Sequence, residues 1–120
     1  MPEPEFTTDL IGHTVLDGES KRLGPLTALY ADADSHALTF AAVTMIRRGR
    51  RRSVFVPLRG ALVSGSSITL RCGAQLVRRA PSVQAGRPLP AEAESDLFAH
   101  YEMPYAPAAA GQRRLLAVHG

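Results

Sequence analysis

Between residues 10 and 32 the chain reads LIGHTVLDGESKRLGPLTALYAD, two β-patterned runs on either side of Asp17-Gly18. Glycine accepts the positive φ that tight hairpin turns demand, so reversal of the chain at this dipeptide is the strongest local constraint in the sequence. A first strand is expected over residues 11–16 and a second over 22–31. The second contains Gly24 and Pro25, which weaken ladder pairing and mark a bend or an edge. Leu26 and Leu29 stand three apart, so they share a strand face only if one residue bulges out near Thr27 or Ala28. The sequence predicts that bulge.

The later pattern supplies further strands. The polar run Asp32-Ala33-Asp34-Ser35-His36 reads as a turn. Residues 37–46 then place Leu38, Phe40 and Ala42 against Thr39, Ala41 and Val43, a third strand apolar on both faces. Gly49 lies in the next reversal, and residues 53–58 form a fourth strand rich in β-formers that ends at Pro57. Residues 60–63 suggest a short strand, Ser64-Gly65-Ser66 a turn, and residues 67–72 a strand with one face inward. Residues 73–80 carry helical spacing up to Pro81. After a linker, Pro90 opens a second helix whose Glu92, Glu94 and Asp96 suit the N-terminal dipole and whose stripe is Ala93, Leu97, Phe98 and Tyr101. Leu115, Leu116 and Val118 offer one more strand or a docking segment in the tail.

The chain has 120 residues, room for one core of ordinary size, with 45% apolar and 21% charged residues. No stretch approaches the roughly 20 apolar residues of a spanning helix. The start, MPEPEFTTDL, has neither the basic end nor the apolar centre of a signal peptide, so the cytoplasm is the expected compartment. Cys72 is the single cysteine, which excludes an intrachain disulfide and a cysteine-based zinc site. Thirteen arginines stand against one lysine, and there is no Asn or Trp, the residue bias of a GC-rich genome. Five of those arginines fall within residues 47–52. Without them the net charge of +3 would be −2.

Ile11-Gly12, Val15, Asp17-Gly18, Leu23-Gly24, Leu26, Leu29, Asp32, the apolar third strand, the run Val54-Phe55-Val56-Pro57-Leu58, Ile68 to Leu70 and Ala80-Pro81 together resemble the PRC-barrel family. This is the small β-barrel of the photosynthetic reaction centre H subunit and of the ribosome-maturation factor for 16S rRNA. The likeness covers residues 10–81; its most specific parts are the glycines, Asp32 and the Val-Pro-Leu step. It implies an all-β fold, a barrel of about six strands with a short helix after the last one and a C-terminal helical extension. Residues 1–9 are expected to be a flexible lead-in, 10–81 the barrel, and 82–120 linker, helix and mobile tail. The short stand-alone members of the family are the better match, and their activity is generally unassigned. The resemblance implies a non-enzymatic docking module that pairs with itself, as a homodimer, or with other proteins, and it brings no catalytic residues.

Arg47, Arg48, Arg50, Arg51 and Arg52 are the sharpest candidate site, since five guanidiniums on a hairpin tip suit a protein partner or the phosphates of RNA or another polyanion. A solvated loop in an arginine-biased chain is the alternative, and no aromatic residue is interleaved to stack on bases. Leu97, Phe98 and Tyr101 are candidates for an interaction helix, packed either on their own barrel or on a second subunit. His13, His36, His100 and His119 are scattered without metal-ligand spacing, and the alternating Asp32, Asp34 and His36 read as a polar turn, so no metal or cofactor is expected. Strand alternation places Cys72 with Leu70 inward and Arg71 on the opposite face, an inert thiol. No nucleophile elbow, P-loop or dinucleotide fingerprint occurs, which argues against an enzyme.

Overall fold

The computed structural model describes residues 10–33, 35, 37–81, 91–103 and 115–118. In chain order these form β1 (Thr14–Leu16), β2 (Arg22–Asp32), β3 (Leu38–Arg47), β4 (Arg50–Pro57), β5 (Leu62–Ser64), β6 (Ser67–Thr69), α1 (Ala74–Arg78), α2 (Ala91–His100) and β7 (Leu115–Val118). The strands make one mixed sheet in the order β4-β3-β2-β1-β6-β5, with β7 also paired to β2. Among the described residues only the β1–β6 contact is parallel. The path ends at β4 and β5, which do not pair with each other, so the sheet is not closed among the described residues. The fold is thus mostly sheet with two short helices. Its Cα radius of gyration, 13.5 Å, is that of a folded chain of this length.

Strand β2 holds the sheet together. Its first half pairs with β1 and its second half with β3 on one edge and β7 on the other. Gly24 sits where the strand changes partners, at φ +155, and a Cβ there would collide with the backbone carbonyl of Thr44. Only glycine permits that approach. The expected bulge is present: Leu26 pairs with Val43 and Ala28 with Ala42, leaving Thr27 as the extra residue, and its Oγ1 donates to the Ala42 carbonyl at 3.2 Å.

The bulge sets the core. Direct cross-strand partners share a face, so Leu26, Leu29, Ala41, Val43, Val54 and Val56 lie on one side of the β2-β3-β4 ribbon, all buried. Tyr30, Phe40 and Phe55 lie on the other, with the Tyr30 and Phe55 ring centroids 4.4 Å apart. Phe98 and Tyr101, from α2 and the turn after it, cover this aromatic face, Phe98 meeting Phe40 edge-on at 5.2 Å. Val15, Ile68, Leu70 and Val77 belong to the same cluster. Both faces of β3 are buried, as its composition predicts.

Several details differ from expectation: β1 begins at Thr14 rather than residue 11, and β4 at Arg50 rather than residue 53. The reversal after β1 is not driven by a positive φ at Gly18; the left-handed residue is Ser20, at φ 65. The turn is organised by Asp17, whose buried Oδ1 accepts from the amides of Glu19 and Lys21, both at 2.8 Å. Gly18 is required by crowding, since a Cβ there would stand 2.7 Å from the Arg71 carbonyl oxygen. The sixth strand also stops at Thr69, before the predicted residue 72. The alternation that separates Arg71 from Cys72 therefore does not continue that far.

Candidate functional site

The β3–β4 hairpin keeps unbroken register from Phe40↔Pro57 to Arg47↔Arg50 and closes on Arg48-Gly49. Arg48 has φ 54 and Gly49 φ 76, the paired positive values of a type I′ turn, whose twist matches that of the strands it joins. Arg50 to Arg52 are therefore strand residues, and Arg48 stands in the two-residue loop. Arg48, Arg50 and Arg51 are exposed, and Ile46, the cross-strand partner of Arg51, is 65% exposed beside it. Nothing is described of the Arg47 side chain.

Arg52 has a different job. Its Nη1 donates to the Arg78 carbonyl and its Nη2 to that of Ala80, so one guanidinium fork satisfies the C-terminal end of α1. The helix is only five residues long and its N-cap, Gly73, offers no side-chain hydrogen bond. Arg52 thus ties α1 to β4.

Leu97, Phe98 and Tyr101 are all buried against the chain's own sheet. Tyr101 also donates its hydroxyl to the Phe55 carbonyl at 2.6 Å. Burial, and then the neighbouring Cys72, push this hydroxyl far above the ordinary tyrosine pKa, with Arg52 opposing them. Glu94, which the helix dipole alone would leave at the surface, is completely buried, and its Oε2 accepts from the Leu115 amide at 2.7 Å. This contact links α2 to β7. No hydrophobic pattern marks it in the sequence.

A groove of about 450 Å³ opens between the end of β4, the segment after β6 and the C-terminus of α2. Arg59, Arg71 and Glu102 bring charge to it, Pro57, Leu76 and Met103 apolar surface, and Cys72 and Tyr101 also line it. Arg59 and Gly60 are the corner of a type II turn, with Ala61 N–H donating to the Leu58 carbonyl at 3.0 Å and Gly60 at φ +74. The Arg71 stem packs over Gly60 so closely that a Cβ there would strike its Cδ and Cγ. Glu102 has φ 54 and ends α2 in a Schellman motif, its amide donating to Ala99 at 3.0 Å and that of Met103 to Phe98 at 2.8 Å. Burial raises the half-buried Cys72 thiol above its ordinary pKa, against a backbone hydrogen bond that lowers it. Gly60 reads in the sequence as the start of a short strand, so the turn at Arg59-Gly60 differs from that expectation, and no spacing links it to Arg71 and Glu102.

His100 Nε2 lies 2.6 Å from the Leu76 carbonyl and joins the two helices. Asp32 accepts from the amide of Ser35 at 2.8 Å and from its hydroxyl at 3.1 Å, holding the polar turn; Asp34, His36 and His119 lie outside the described residues. Among the described residues no three His, Cys, Asp or Glu side chains come together as metal ligands, and no helix is long and apolar enough to cross a membrane. No protein-family model and no curated protein matches the chain.

Proposed function

We propose that the chain is a non-enzymatic, cytoplasmic docking module of the PRC-barrel kind, whose contact element is the β3–β4 hairpin and whose partner is an acidic protein surface. The observation that carries this is exposed Arg51 standing directly across from exposed Ile46 on a hairpin in unbroken register, with exposed Arg48 in its turn and exposed Arg50 on the opposite face. Guanidiniums alone suit any polyanion, but an exposed isoleucine beside Arg51 adds nothing on a phosphate backbone and contributes burial on a protein. The resemblance to the family is supported by the backbone roles of its glycines: Gly12 at φ 93, Gly18 and Gly24 at close approaches. A sheet that buries both faces of its central strands is consistent with an incipient barrel.

The test leaves Arg52 in place, because its guanidinium holds α1. Wild type, Ile46→Ser and the triple variant Arg48→Ser, Arg50→Ser, Arg51→Ser are compared for capture of partners from cell extract. A protein partner lost by both variants is the expected result. Capture that survives the triple variant overturns the assignment of the hairpin.

A second reading, association with ribosomal or other nucleic acid, is favoured by the same three guanidiniums. With phosphates as the target, affinity for a labelled RNA falls with salt at a logarithmic slope of about −2 to −3 for three contacts, and Ile46→Ser has no effect. RNA affinity unchanged in the triple variant removes this reading.

A further inference from the structure

We infer that the groove beside α2 is a binding site for a small carboxylate with an apolar body, a site separate from the hairpin contact proposed above. Neither Arg59 nor Arg71 has a hydrogen-bond or ion-pair partner among the described residues. The Arg71 stem is nonetheless held by the fold, and Arg59 is held at its backbone. Arg59 occupies the corner of the type II turn, and the stem of Arg71 is packed on Gly60, the next residue of that turn. The packed Arg71 stem limits the freedom its guanidinium loses on meeting an oxyanion, and Arg59 joins it from the exposed rim of the groove.

The rest of the lining selects the ligand. Pro57, Leu76 and Met103 give it an apolar wall, and about 450 Å³ accommodates a body of ring size rather than a bare ion. Glu102 is the third charge, and its left-handed backbone fixes it at the helix end that faces the groove. With two cations and one anion around the cavity, the site carries a single net positive charge. A monoanion is thereby favoured over a phosphate dianion.

Cys72 lines the same groove and is the chain's single cysteine, so it reports occupancy without a label. The experiment measures the rate of Cys72 alkylation by iodoacetamide in the full chain, under mildly alkaline conditions, against increasing 4-phenylbutyrate, with 4-phenylbutyramide as the uncharged control. Saturable protection by the acid and none by the amide is expected. Arg59→Gln or Arg71→Gln should weaken protection about tenfold or more, the double variant should abolish it, and Glu102→Gln should tighten it by a few-fold. Circular dichroism confirms that the variants fold, which the exposure of both arginines leads us to expect. An alkylation rate that the acid leaves unchanged, equal protection by acid and amide, or equal protection in the double variant overturns the proposal.

Discussion

Tyr101 illustrates how one side chain serves packing and polarity together. Its ring is buried with Phe40 and its hydroxyl is spent on the Phe55 carbonyl, so the phenol is held neutral. Its pKa is raised in the folded state, which makes the unfolded chain the first to lose the proton as pH climbs past about 10. The native state then holds more protons than the unfolded state, and stability from this group falls as pH rises, by up to about 1.4 kcal/mol per unit. Tyr101→Phe should therefore cost about 1–2 kcal/mol at neutral pH and show a shallower alkaline loss, read by urea denaturation at several pH values. Identical alkaline slopes for the two proteins would contradict the assignment. The sequence shows Tyr101 on an apolar stripe, and burial follows from that. Its hydrogen bond does not, because Phe55 is 46 residues away and only the packing angle of α2 brings the two together.

At the level of elements, the strands were legible wherever local chemistry decided them. Leu26 and Leu29 could both be buried only with a bulge, and Thr27 supplies it. The hairpin closing at Arg48-Gly49 and the turn at Gly65 follow from their glycines. Even β7 is anticipated by Leu115, Leu116 and Val118, although its partner, the far edge of β2, is not. What local pattern could not separate is five arginines in one hexapeptide. They are alike in composition and differ in neighbours: three are exposed, while Arg52 faces the last carbonyls of α1. That distinction predicts an uneven mutational response. Arg52→Ala should lower stability by about 1–2 kcal/mol, and Arg52→Lys should recover only part of it, since an ammonium does not reproduce the two-pronged fork. Serine at Arg48, Arg50 or Arg51 should change stability by no more than about 0.5 kcal/mol. Equal effects at all four positions in chemical denaturation would mean that α1 does not depend on this contact.

For the molecule as a whole, the two ends of the strand path among the described residues predict where a second copy would attach. Of the two ends of the strand path, β4 begins with Arg50, Arg51 and Arg52 and ends at Pro57, charges and a proline that discourage edge-to-edge pairing. At the other end, β5 carries no charge; all three of its residues are exposed, with Leu62 at 71%. For the self-association expected from the sequence, the β5 edge is the predicted contact rather than α2, whose Leu97, Phe98 and Tyr101 are buried in the chain's own core. Three residues give few ladder hydrogen bonds, so the association should be weak and concentration-dependent. Sedimentation across the micromolar range should show a rising dimer fraction for the wild-type chain. Leu62→Lys should stay monomeric with unchanged thermal stability, because Leu62 buries little in the monomer and a lysine on the pairing edge of each copy puts charge into the contact. A wild-type chain that remains monomeric throughout, or a Leu62→Lys chain that dimerises equally well, would place self-association elsewhere or remove it.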